Sequence, residues 1–346
     1  MTRIDSVEEM DWFAKLFGFR EGDYDFTRRQ LQVDGSKLRS RVNGRSFGIG
    51  ELELVSLQTL RERVGDDRAK HGRLRVEIVC GDVRQIHQAP EYKGALFQVA
   101  SQFNLLEMVG PDVTPEHGVT RYQTDKTQGP ACAMAAAAAT VYRNYFVPVA
   151  GGVGQTRARQ LDGLADLGAV LRAALGEPDT PLWEMRNGYA MCTLEGLLAI
   201  EGLLAKLDEE ALDAMRGHLR IGVHRNVEVT DSDVLPRPAV SQAFCSALPV
   251  RYSRVAREHW KGLAALVLEA AYEATLLAAI ESASQGGSNI VLLTRLGGGA
   301  FGNDDEWIHG AMRKALKRAA GFNLDVRLVS YGTPSLALSE MAAEFS

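Results

Sequence analysis

The chain has 346 residues, 46% of them hydrophobic and 24% charged, and a formal net charge of −5. That mildly acidic balance argues against a protein whose main task is to grip nucleic-acid backbone, and the longest apolar runs, around 131–141 and 262–280, are too short or too interrupted to span a bilayer. Met1 to Glu9 lacks the apolar segment of a signal peptide, and Cys80, Cys132, Cys192 and Cys245 form no CxxC pair, so the composition predicts a cytoplasmic protein with reduced core thiols.

In chain order, Val7, Met10, Phe13, Leu16 and Phe17 recur at helical spacing and predict a short leading helix over 6–18. Over 26–56 the pattern alternates and is punctuated by Asp34-Gly35 and Asn43-Gly44, which predicts a β-meander. Strands follow at 73–79 and 95–100, the first running into Gly81-Asp82-Val83. Residues 127–145 read as a helix, with Gly129-Pro130 at its start and Ala135 to Ala139 within it. From about 147 to 220 the chain reads as a mainly helical insertion, with Leu161, Leu164, Leu167, Leu171 and Leu175 on one face and a second stretch at 194–207. Strands resume at 221–230 and 239–249, and a long helix over 260–284 precedes the Ile290–Leu293 strand. That strand breaks into Gly297, Gly298, Gly299 and Gly302, after which a helix starts near Asp304–Asp305. A last strand over 324–330 closes the fold. Helices alternating with strands predict an α/β, three-layer α/β/α architecture. The division expected is an N-terminal helix and meander over 1–70, then one domain over 71–346 carrying the insertion.

Strand, glycine loop and helix start let backbone N–H groups close on a phosphate without obstruction by Cβ. The pattern points to a phosphorylated nucleotide or dinucleotide, with a tight ligand-free turn as the alternative. No GxGxxG follows a first strand, and no Gly-Lys-Ser/Thr is present, which speaks against a dinucleotide dehydrogenase and a P-loop.

Val76 to Val83, with its Gly81-Asp82-Val83 ending, and Phe97 to Asn104 followed by a helix, together with the Gly297–Gly302 loop, resemble the macrodomain, an ADP-ribose-binding α/β/α fold with a mixed sheet. The resemblance covers about 73–145 and 222–331. It departs from the family at the Asn-Ala-Ala-Asn loop, of which only Asn104 is kept. Gln98 to Glu107, Thr127 to Ala131, Tyr142 to Tyr145 and Asn187-Gly188-Tyr189 look closer to a divergent branch of ADP-ribosyl hydrolases that act on arginine, some on ADP-ribosylated ubiquitin. The resemblance implies that Asp82, beside Val83, accepts a hydrogen bond from the adenine amino group and that Asn104 meets the distal ribose. It also implies that Gln128 and Gly129 lie against the diphosphate. Gly297, Gly298, Gly299, Ala300, Phe301, Gly302 and Asn303 then form the second phosphate loop, with Phe301 packed on the distal ribose.

Releasing ADP-ribose from a side chain means displacing a leaving group at C1″ through an oxocarbenium-like transition state, where carboxylates activate water and stabilise developing charge. Glu107, Asp112, Glu116 and Asp125 are candidate acids. Asp125 stands where the resemblance puts a catalytic aspartate, with a turn or cap as its alternative. Glu107 is either a second catalytic acid or the structural partner of an arginine, and the other two read as solvated loop acids. The scattered histidines compose no metal site, and Asp231 and Asp233 lack the glycine and glutamate of a calcium loop. Asp304, Asp305 and Glu306 read as an electrostatic helix cap. No cofactor is called for, with Mg²⁺ on loop carboxylates left open. The expected partners are ADP-ribose and an ADP-ribosylated protein, without nucleic acid or membrane. A non-catalytic ADP-ribose reader is the alternative function.

Overall fold

A computed structural model of the chain describes residues 11–65, 72–176 and 181–345. The first ten residues, expected to begin the leading helix, and His71 lie outside the described residues. The chain opens with helices α1 (Trp12–Phe17) and α2 (Tyr24–Arg29) and a three-stranded meander of β1 (Leu31–Asp34), β2 (Lys37–Ser40) and β3 (Ser46–Gly48). There follow β4 (Glu51–Ser56), α3 (Leu57–Val64), β5 (Arg75–Cys80), α4 (Val83–Ile86), β6 (Leu96–Ala100), α5 (Gln128–Ala135) and α6 (Ala137–Tyr145). The insertion holds hairpin β7 (Pro148–Val149) and β8 (Gly152–Val153), α7 (Ala165–Leu175), hairpin β9 (Trp183–Arg186) and β10 (Tyr189–Cys192), α8 (Leu194–Leu204) and α9 (Glu209–Arg216). The last part runs through β11 (Arg220–Glu228), β12 (Ala239–Cys245), α10 (Lys261–Ser284), β13 (Ile290–Leu293), α11 (Asp305–Ala319), β14 (Asp325–Ser330) and α12 (Leu336–Glu344).

Seven strands form one mixed sheet in the order β4-β11-β12-β6-β13-β14-β5. From β12 to β5 each neighbouring pair is parallel, whereas β11 runs antiparallel to β12 and β4. Alternate side chains enter opposite faces, as the period of a strand requires. Leu96, Ala243, Val291 and Leu293 pack with α3, α10 and α11 on one side. Phe97, Phe244 and Leu292 pack with Val83, Cys132, Ala136 and Ala139 on the other. This is the expected α/β/α sandwich. Because both faces are covered, β6 is buried almost throughout. α10 is mainly apolar and 15 of its 24 residues are buried, with Glu269, Glu273 and Glu281 paired to arginines or lysine at its flank. By length and composition the Arg257–Ser284 stretch is long and apolar enough to cross a membrane, contrary to the reading from sequence, yet 83% of that window is buried inside the protein.

Four features depart from the expected pattern. Glu51–Ser56, expected within the N-terminal meander, is an edge strand of the main sheet, paired with β11 from Ser56↔Arg220 to Glu51↔Arg225. Gly50 makes the crossing from one sheet to the other: at φ +61° it lies so close to Arg225 that an added Cβ would sit 1.9 Å from the carbonyl oxygen. The 127–145 helix breaks at Ala136, where φ −115° and ψ 57° end one helix and start the next. The insertion carries the β9–β10 hairpin, turned by Asn187 and Gly188 at φ 47° and 80°, the Asn-Gly signature of a two-residue turn. Finally, α12 follows the last strand, capped by Ser335 and anchored by Leu338 and Met341.

A separate core ties the N-terminal segment to the sandwich. Phe13, Phe17, Leu31, Leu38 and Phe47 pack with Val119, Tyr122, Met134, Val141 and Tyr145.

Candidate active site

The carboxyl ends of parallel strands are where ligands of open α/β sheets bind, since connecting loops and helix starts converge there. Two cavities of about 640 and 650 Å³ open at those ends and share Tyr122, Asp125, Lys126, Gln128, Thr294 and Arg295. They adjoin along these residues, and together they make up the crevice. The first cavity reaches Asp82, Val83, His309 and Tyr331; the second reaches the glycine loop and Tyr189, Tyr252 and Phe301.

In the first cavity Asp82 caps α4, its Oδ1 accepting the Arg84 N–H at 2.8 Å. Arg84 turns outward to a two-point pair with Asp231, both contacts at 2.7 Å, and Gln88 donates to the same carboxylate. Asp231 is thus a guanidinium partner. His309 and Tyr331 escaped the sequence reading. Burial lowers the His309 pKa against the pull of Asp305, with Arg295 and Arg313 adding smaller pushes downward, and its Nε2 is buried with no hydrogen-bond partner among the described residues. Tyr331 is 85% exposed at the cavity edge. An aromatic directly after a strand that ends beside Gly81-Asp82 was the available signal.

The glycine loop owes its shape to Gly297 and Gly302, at φ +74° and +72°, and to Asn303. The Asn303 N–H donates to the Gly297 carbonyl at 3.0 Å and its side-chain amide donates to the Leu248 carbonyl at 2.8 Å. Asn303 is buried and, like Gly298 and Gly302, lies behind the cavity wall, shaping the loop without lining it. Gly297, Gly299, Ala300 and Phe301 do line the cavity, and their N–H groups donate to no described residue. Uncommitted amides on a concave loop are the means by which backbone binds an anion. The neighbouring helix end is committed elsewhere, because Asp304 caps α11 with its own carboxylate. Phe301 stands in an aromatic wall, its ring centroid 5.2 Å from Tyr189 and 5.8 Å from Tyr252. Tyr189 follows the hairpin turn and is fixed by donating to the Met108 carbonyl at 2.7 Å.

Of the four candidate acids, Asp125 alone borders both cavities. Its Oδ1 accepts the Thr127 N–H at 2.9 Å and hydroxyl at 2.7 Å, while Oδ2 bonds to no described residue. Glu107 has the arginine partner that one of its two readings called for. It lines the second cavity, 2% exposed, with an Arg143 N–H donor 3.2 Å from Oε1. Arg143 is itself fully buried, stacks 3.8 Å over Phe244 and donates from Nε to the Leu105 carbonyl. Burial pushes the Glu107 carboxyl up to about 7 against the pull of Arg143, and burial lowers Arg143. Asp112 pairs with Arg186, and Glu116 accepts the Arg157 N–H.

Two expected ligand contacts are spent within the fold. Asn104 is fully buried and lines neither cavity: its amide donates to Gln160 at 2.8 Å and its oxygen accepts the Leu106 N–H. Gln128 borders the crevice, but its side chain accepts the Ala100 N–H and donates to the Gln98 carbonyl, both at 2.8 Å. Polar groups placed this deep must be satisfied internally, and sequence alone did not reveal that.

No protein-family model matches the chain, and no curated protein matches it. Among solved structures it is similar to the poly(ADP-ribose) glycohydrolase of Deinococcus radiodurans in complex with ADP-ribose, at 12% identity and a TM-score of 0.45, over 85% of this chain and 94% of that one. It is also similar to the poly(ADP-ribose) glycohydrolase of Thermomonospora curvata, at 14% identity and a TM-score of 0.42, over 93% of this chain and 94% of that one.

The crevice brings the uncommitted amides of the glycine loop and the Asp125 carboxylate to one surface. Its width depends on Gly129, where an added Cβ would lie 2.0 Å from the Ala100 carbonyl oxygen and 3.1 Å from the Glu107 side chain. Gly129→Ala is therefore expected to force α5 away from β6 and to cost about 1–3 kcal/mol as an overpacked site, measured by urea unfolding. Wild-type stability in that variant would show that the close approach is not needed.

The cysteines divide: Cys132, Cys192 and Cys245 are buried free thiols as expected, whereas Cys80 is exposed at the end of β5.

Proposed function

We propose that the crevice binds ADP-ribose and that the protein hydrolyses the bond between ADP-ribose and a protein side chain, with arginine as the linkage residue and ubiquitin among the candidate carriers. The observation that carries this reading is Asp125 at the junction of the two cavities, one side leading to Asp82 and the other to the free amides of the glycine loop. In this reading the adenosine lies in the first cavity against Asp82. The diphosphate meets the Gly297, Gly299, Ala300 and Phe301 amides, and the distal ribose lies between Phe301 and Asp125. Asp125 then takes a proton from water as the water oxygen bonds to C1″. The C1″–N bond breaks, and the guanidine nitrogen leaves with its electron pair and takes up a proton from solvent. No redox step or cofactor enters.

A second reading, an ADP-ribose reader without turnover, draws support from Glu107, whose carboxyl is paired with the buried Arg143. Two measurements separate them. Calorimetric titration is expected to show ADP-ribose binding, weakened about 10- to 100-fold in Asp82→Ala, the value of one hydrogen bond to a charged group. Undiminished binding by that variant would remove Asp82 from the adenine site, and no binding by wild type would end both readings. Incubation with arginine-ADP-ribosylated protein, with poly(ADP-ribose) as comparison substrate, is expected to release ADP-ribose from the former. Tight binding without release from either favours the reader.

A further inference from the structure

We propose that Glu21 is a positioning residue for Asp125, so that the N-terminal segment sets the geometry of the catalytic carboxylate; this rests on the reading of Asp125 as the general base. Residues 119–127 run along the rim of the crevice, contributing Tyr122, Asp125 and Lys126 to both cavities. The segment is short of secondary structure of its own, a single 3-10 turn over Thr120–Thr124 with Asp125 as its C-terminal cap. What fixes it comes from a distant part of the chain. Glu21 Oε1 accepts the Val119 N–H at 2.9 Å and the Tyr145 hydroxyl at 2.8 Å, and Oε2 accepts the Thr120 N–H at 2.6 Å. The carboxylate thus bridges the start of the turn to the end of α6.

The approach is possible because residue 118 is glycine. At φ +76°, an added Cβ on Gly118 would lie 2.5 Å from the Glu21 carboxyl carbon. The indole N–H of Trp12 donates to the Thr120 carbonyl at 3.1 Å, so both polar groups of that peptide region are held by the N-terminal segment. Below them Val119 and Tyr122 are buried in the aromatic core made with Phe13, Phe17 and Phe47. At the far end the Glu107 N–H donates to the Tyr122 hydroxyl at 3.0 Å. Asp125 therefore sits at the end of a short turn whose first two amides are clamped by one carboxylate. Glu21 itself lines neither cavity, so its influence on turnover must pass through the segment it holds.

The test compares Glu21→Gln with wild type for turnover, KM and pH profile on arginine-ADP-ribosylated protein, and for ADP-ribose affinity by calorimetry. Glutamine keeps the size but has one acceptor oxygen, and its NH₂ faces amide donors. The expected result is a kcat lower by about 10- to 100-fold, the scale of a misplaced catalytic group, with KM and ADP-ribose affinity within about twofold of wild type. An unchanged kcat in a wild type that turns over overturns the inference and leaves the reading of the site intact. So does a loss of affinity equal to the loss of kcat, which would mark general damage to the crevice. Should Glu21→Gln not fold, Trp12→Phe removes a single hydrogen bond from the same segment, and a kcat unchanged there overturns the inference equally. Absence of release by wild type removes the general-base reading, and this inference falls with it.

Discussion

Asp125→Ala is expected to lower release of ADP-ribose from arginine-modified protein by about 10²- to 10⁴-fold, the range spanned by a positioned general base, while ADP-ribose itself still binds. The split follows from where the residue stands. Asp82 and the loop amides lie to either side of Asp125, so the groups assigned to the adenine and the diphosphate stay in place when its carboxylate is removed. Alanine also loses the two bonds from Thr127, a local turn with partly exposed groups, so Asp125→Asn is the matched control, keeping an oxygen for those bonds without the basicity. Both variants should be equally slow. Wild-type turnover in Asp125→Asn would exclude the carboxylate as base and move the search to other groups of the crevice.

Glu107→Ala is expected to destabilise the fold by about 3–5 kcal/mol, because it leaves Arg143 buried beside an uncompensated gap. Arg143 already has one buried N–H group, at NH1, without a partner among the described residues. Glu107→Gln should cost far less, since the amide oxygen still accepts from the guanidinium, and its cost should depend on pH. Burial raises the Glu107 pKa from the ordinary 4.5 to about 7, so the folded chain keeps a proton that the unfolded chain gives up. The stabilisation from protonated Glu107 is complete below about 4.5 and is lost as pH rises through 7. Glutamine cannot titrate. Its stability relative to wild type should therefore improve between pH 5 and pH 8, read from urea unfolding at the two values. An equal difference at both would show that Glu107 is ionised in the folded state throughout. His87 and His224, buried and lowered to about 4 and about 3, act with the opposite sign: their contribution is present above 6.5 and is lost as pH falls through those values. Because they remain in both proteins, the comparison of Glu107→Gln with wild type cancels them.

The parts of this chain that could be read in advance are those governed by local periodicity. Ile290–Leu293 and its glycine break, the long apolar helix, the Gly81-Asp82 strand end and the α/β/α layering all follow from pattern. What stayed hidden depends on contacts between distant residues. Whether Glu107 is catalytic or structural turns on Arg143 lying 36 positions away and packed on Phe244. Asn104 reads as a ligand contact until Gln160 and Leu106 are seen to occupy its amide. The reach of Glu21 to residue 119, 98 positions along the chain, has no sequence signature at all. Glu51–Ser56 was misassigned because alternation shows that a strand exists and not which sheet it joins. The β9–β10 turn carried a legible Asn-Gly signal within a segment whose leucines suggested helix.

The floor of the crevice owes its form to one detail of the sheet. β13 pairs with β6 only through Val291↔Leu96 and Leu292↔Phe97, after which the two strands part. Beyond that point side chains take over: Gln128 accepts the Ala100 N–H and donates to the Gln98 carbonyl, both on β6, and the Gln98 side chain reaches across to accept the Thr294 N–H at 3.2 Å. The middle of the sheet is thus laced by glutamine amides where a continuous peptide ladder would otherwise run. The floor of the crevice is closed there by an amide-to-peptide contact between β6 and β13, Gln98 to Thr294, instead of a run of paired peptides.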